Sequence, residues 1–119
     1  MKGALREARQ LYEQSLLHWR ALGDKQGIAE TLQKLGEIAM DFQHGDEAEA
    51  YLRESAELWQ SIGEWVSYAD CMRKLGRMAR SQGRYGDAEA WREQRWRFYG
   101  MEMARQEWEE SRQRREGEG

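Results

Sequence analysis

The stretch Thr31-Leu32-Gln33-Lys34-Leu35-Gly36-Glu37-Ile38-Ala39 returns forty positions later as Cys71-Met72-Arg73-Lys74-Leu75-Gly76-Arg77-Met78-Ala79. At the same shift Ala29/Ala69, Ala48/Ala88, Glu49/Glu89 and Ala50/Ala90 are identical, and Glu7/Glu47, Ala8/Ala48, Ser15/Ser55, Trp19/Trp59 and Gly23/Gly63 carry the register back toward the start. A unit that repeats at this length is one supersecondary element that cannot bury its apolar face alone, so its copies must stack on one another.

The type of element follows from spacing and punctuation. Proline is absent and the glycines stand mostly between periodic segments, which reads as an all-helical chain. Ala8, Leu11, Tyr12, Ser15, Leu16, Trp19 and Leu22 recur at intervals of three and four on one face of a first helix, closed by Gly23. Asp24 caps a second helix whose inner face is Ile28, Thr31, Leu35, Ile38, Ala39 and Phe42, closed by Gly45. Asp46 with Glu49 three places on is an acidic capping box for a third, with Ala48, Tyr51, Leu52, Ser55, Ala56, Leu58, Trp59 and Ile62 inside. Tyr68, Cys71, Met72, Leu75, Met78 and Ala79 mark a fourth that stops near Gly83. Gly86-Asp87 opens a fifth, with Ala88, Trp91, Phe98, Tyr99 and Met103 inside.

These five helices form a half hairpin at 4–22 and hairpins at 24–62 and 64–104, one repeat domain over 1–104. From residue 105 to 119 only Trp108 is apolar, so that charged tail is expected to be a fraying helix or disordered. Small residues at Gly36/Gly76 and Ala48/Ala88 are expected where helices approach closely.

The pattern resembles the tetratricopeptide repeat family. Its carriers are Leu32, Leu35-Gly36, Ala39, Ala48, Leu52 and Ser55, then Met72, Leu75-Gly76, Ala79 and Ala88. The forty-residue period and the Leu22-Gly23-Asp24 joint look like the longer repeats of bacterial signalling regulators. Arg92 and Arg95 depart from the pattern, standing at its large and small positions. The resemblance implies antiparallel hairpins stacked as a right-handed solenoid. It also implies protein or peptide binding in a concave groove lined by the first helix of each hairpin, and no catalysis.

The rest of the chain agrees with a binding role. His18 and His44 have no partner at metal-ligand spacing, no glycine-rich phosphate loop is present, and the carboxylates lie on solvated faces, so no enzyme activity, cofactor or metal is expected. Cys71 falls on an apolar face and reads as core. The net charge of -3, and the absence of aromatics between the arginines, argue against nucleic acid. No apolar run approaches a membrane span and residues 1–11 lack a secretion signal, so a cytoplasmic protein without a membrane partner is expected.

Two surfaces carry candidate function. Arg73, Arg77, Arg80 and Arg84 are spaced 4, 3 and 4 on the fourth helix, and Gln33, Glu37 and Met40 form the equivalent line on the second. By resemblance both lines face the groove, where the arginines would hold an acidic peptide segment, making the chain an adaptor. On the last helix Trp96, Tyr99 and Met103 occupy a line that a following hairpin would cover, and are expected to mediate self-association. The alternative to the adaptor is a structural role, as the end of a longer solenoid or regulator or as a homo-oligomerisation module.

Overall fold

The computed structural model describes residues 2–118, with the side chains of Lys2, Phe98, Tyr99 and Glu118 outside that description. Among the described residues the chain is all helix: α1 (Lys2–Leu22), α2 (Lys25–Asp41), α3 (Gly45–Ile62), α4 (Trp65–Ser81) and α5 (Tyr85–Glu118). Each packs against the next in sequence, so α2/α3 and α4/α5 are hairpins, α3 stacks on α4, and α1 leans on α2.

The joints show why the repeat works. Residues 23, 43, 63 and 83 all take positive φ, at 68°, 61°, 85° and 78°. The next residue in each joint then donates its N–H back to the carbonyl five positions earlier, in Asp24 to Trp19, His44 to Ala39, Glu64 to Trp59 and Arg84 to Ala79. The same residue's carbonyl accepts the first bond of the following helix, from Ile28, Ala48, Tyr68 and Ala88. One left-handed residue thus ends one helix and starts the next within three residues. The joint recurs every twenty positions, half the sequence period.

Glycine fills three of the four left-handed positions, and Gln43 fills the second. Gly45, expected to close α2, is the first residue of α3 instead. The Asp46–Glu49 capping box does not form either: α3 has no side-chain cap, and Glu49 turns to Arg53 at 2.9 Å and Arg84 at 3.2 Å. Asp24 does cap α2, its carboxylate accepting the Gly27 N–H at 3.0 Å.

The core lies between α2, α3 and α4, where Leu32, Leu35, Leu52, Ser55, Cys71 and Leu75 are fully buried. The buried Ser55 hydroxyl is satisfied by donating to the Ala29 carbonyl at 2.7 Å, and the Cys71 thiol lies 3.6 Å from Ser55 Oγ. Burial pushes the Cys71 thiol up to about 11, so it is a packing residue without thiolate character at neutral pH.

Away from that centre the expected inner faces are partly open. Leu11 and Leu22 of α1 are 64% and 62% exposed, and Ile62 and Met103 are exposed as well, because burial extends only as far as a neighbouring helix reaches. The side chains of Phe98 and Tyr99, also expected inside, fall outside the described set. α5 runs as helix through the segment expected to be a fraying helix or disordered. Arg105 pairs there with Glu102 at 2.7 Å and with Glu109 at 3.9 Å, and Arg112 with Glu116 at 3.2 Å, the i,i+3 and i,i+4 geometry that supports solvated helices.

Candidate functional site

The α2 line expected to face the groove is tied to α4 by a polar network. Trp59 of α3 donates its indole N–H to Gln33 Oε1 at 3.2 Å, and Gln33 donates its amide N–H to Asp70 at 2.7 Å. Asp70 also accepts from Arg73 at 2.6 Å and pairs with Lys74 at 3.0 Å, while Lys74 reaches across to Glu37. Gln33 and Glu37 therefore hold two successive hairpins in register, and each is half-buried in doing so.

Protonation at this network is set by competing effects. Burial raises the Asp70 pKa, but hydrogen bonds and charge from Lys74 and then Arg73 outweigh it, so the carboxyl lies below its ordinary value. Burial likewise lowers Lys74, and the bonds and charges of Glu37 and Asp70 reverse this to a net rise. A depressed folded pKa at Asp70 gives stability that is present above the ordinary carboxylate range and lost as pH falls through the folded value. Melting temperature is expected to drop more steeply below about pH 4 in the wild type than in Asp70→Asn. Identical acid slopes for the two proteins would remove the network from the account of acid stability.

The arginines divide into groups. Arg84 leaves the stripe: it pairs with Glu49 of α3 at 3.2 Å and with Asp87 at 3.5 Å, fastening the α4/α5 joint to the previous hairpin. Arg73 is exposed and shared with Asp70. Arg77 and Arg80 are exposed, and among the described residues neither has a carboxylate at ion-pairing distance. Arg77 borders a cleft of about 440 Å³ between the α2 end and α4, with Met40, Met78 and Gln82 on its wall.

On its other side Arg77 lines a second cleft, of about 320 Å³, between α4 and α5. Arg73, Arg80, Arg92 and Arg95 line it too. The stripe alone does not point to Arg92 and Arg95, since they lie on another helix. Their signal was the repeat itself, which has Leu52 and Ser55 at the matching positions.

Trp96 and Met103 are 61% and 47% exposed on α5, and the Tyr99 side chain lies outside the described set. Arg95 sits over the Trp96 ring at 5.6 Å. Among the described residues no group of three or more His, Cys, Asp or Glu could hold a metal ion, and no helix is long and apolar enough to cross a membrane.

Stacked hairpins joined by recurring turns, with a polar lock between repeats, define a helical-repeat protein. Residues 41–95, from the end of α2 through α3 and α4 into α5, match the model of the tetratricopeptide repeat family, so the repeat is a tetratricopeptide repeat over that stretch. Such repeats are protein–protein interaction modules. No curated protein matches the chain.

Proposed function

We propose that the chain is an adaptor that binds an acidic segment of a partner polypeptide along α4. The reading rests on Arg77 and Arg80, two exposed guanidinium groups one helical turn apart with no carboxylate at ion-pairing distance among the described residues. Cations left unneutralised on one face repel each other, and a carboxylate-bearing ligand relieves that repulsion through charge-assisted, often bidentate hydrogen bonds. Arg73 extends the line, and the cleft holding Met40 beside Arg77 offers apolar contact for a neighbouring side chain.

The test replaces Arg73, Arg77 and Arg80 together by Ala. Stability is expected to change by no more than about 0.5 kcal/mol per site, as at other exposed positions. Binding of a glutamate-rich peptide library should fall about tenfold or more and weaken with salt in the wild type. Undiminished binding by the triple variant would reduce the stripe to a solvated face.

A second reading, self-association, is favoured by the exposure of Trp96, Met101, Met103 and Trp108 within one short stretch of α5. Sedimentation at micromolar concentration should then show a dimer or larger species that Trp96→Ala with Met103→Ala weakens. A monomer across that range would exclude it.

A further inference from the structure

We infer that the cleft between α4 and α5 is a binding site for a phosphomonoester carried on a partner polypeptide. The inference rests on the adaptor reading and adds the ligand's charged group and the helix that completes its site.

The repeat supplies its own control. In the first full hairpin Leu52 and Ser55 are fully buried, Leu52 packing onto Gly36 and Ser55 bonded to Ala29. Forty positions on the pair becomes Arg92 and Arg95, and the space at Gly76 opens: its nearest neighbour for an added Cβ lies 3.7 Å away, against 2.8 Å at Gly36. The cleft of about 320 Å³ occupies that space, and five guanidinium side chains from two helices line it. A solvated helix face needs only polar residues. Two arginines placed toward three others exceed that need, since the like charges raise the energy of the empty cleft.

Charge and shape select the ligand. Asp70 meets Arg73 at 2.6 Å and Glu89 meets Arg92 at 3.8 Å, while Arg77, Arg80 and Arg95 have no carboxylate at ion-pairing distance among the described residues. A carboxylate would offer those three one charge and two acceptor oxygens. A phosphomonoester carries roughly -1.5 to -2 at neutral pH and three strong acceptors, suited to several guanidinium forks at once. No aromatic ring lines the cleft for a base to stack on, which disfavours nucleic acid as the source of the phosphate.

The experiment uses the full chain with degenerate peptide libraries centred on phosphoserine, on glutamate and on serine, and follows capture and fluorescence anisotropy. The wild type is expected to prefer the phosphoserine library over the glutamate one by about tenfold. Arg92→Leu with Arg95→Ser, which restores the residues of the first hairpin, should bring that ratio to within about twofold of unity. Arg92→Gln with Arg95→Gln, which keeps the surface polar, should do the same while circular dichroism matches the wild type. Equal capture of the phosphoserine and glutamate libraries by the wild type would overturn the proposal and leave the adaptor reading standing. Preference retained in the glutamine variant would also overturn it. Competition by inorganic phosphate or a single-stranded oligonucleotide as effective as that of the phosphopeptides would overturn the polypeptide source. The adaptor reading fails separately, if the glutamate library is not bound or the α4 triple variant binds it unchanged.

Discussion

Leu52→Ala is expected to cost about 2–5 kcal/mol, because a fully buried leucine is removed from the centre of the stack and the helices around it relax only in part. In a domain whose whole stability is of order 5–15 kcal/mol, that is a large share. Gly36 makes the site more informative than a simple cavity. A Cβ at Gly36 would lie 2.8 Å from Leu52 Cγ and 3.0 Å from its Cδ2, too close for either helix to stay in place, so Gly36→Ala is expected to cost about 1–3 kcal/mol alone. In the double variant the new methyl takes part of the space that Leu52 vacates. The two costs should fall short of additive by about 1 kcal/mol. Urea unfolding of the four proteins checks this, and strict additivity would mean that Leu52 does not close over Gly36. Gly76→Ala provides the contrast: its Cβ meets nothing nearer than 3.7 Å, so relief of glycine's poor helix propensity should dominate, a gain of up to about 1 kcal/mol.

That contrast also marks how far the fold is legible in the sequence. The forty-residue recurrence and the apolar spacing identify five helices and the inner faces of α2, α3 and α4, because those helices have neighbours on the sides the pattern indicates. The same spacing misleads at α1. Leu11 and Leu22 share the apolar face, but α1 packs mainly on α2, with Arg20 reaching Glu54 of α3 at 2.8 Å, and both leucines stay exposed. Local capping patterns fail where a distant partner competes, as when Arg84 engages Glu49 and leaves the α3 N-terminus without a side-chain cap. Hydropathy undervalues residues 105–118, since a helix with little apolar content can still be held by pairs such as Arg112–Glu116.

The candidate site was legible in half. One helix's spacing groups Arg73, Arg77 and Arg80, and also Arg84, which geometry diverts to Glu49. The α5 contribution is hidden from any single-helix pattern. It shows in the mismatch between repeats, where two buried positions of the first hairpin become arginine in the second. The first repeat states what packing demands, and a departure in the second singles out residues that packing does not explain.

The attachment of α1 to the rest supplies the second large effect. Trp59 of α3 has a hairpin partner, and its indole N–H is held by Gln33 of α2. Trp19 stands at the matching place on α1, which packs against no earlier helix, and its ring lies over Gly27 instead. A Cβ at Gly27 would come within 2.4 Å of that ring, at atoms of the fused system near its root rather than at a flexible tip. The indole must then swing away from α2, and with it goes much of what fixes α1 to the stack. Gly27→Ala is expected to cost about 1–3 kcal/mol, the range for overpacking a close contact, partly offset by the better helix propensity of Ala. Hydrogen exchange should show α1 amides losing protection while those of α3 and α4 keep theirs, since α1 is held chiefly by α2, with the exposed Arg20–Glu54 ion pair to α3 as the weaker tie. Gly45→Ala is the control: its Cβ would meet Gln82 Nε2 at 2.3 Å, but that atom is the end of a flexible side chain that can move aside, so stability should stay within about 0.5 kcal/mol. Wild-type protection of α1 in Gly27→Ala would show that the ring can turn without releasing the helix, and that other α1 contacts, such as Arg20 to Glu54 at 2.8 Å, carry the attachment without Trp19.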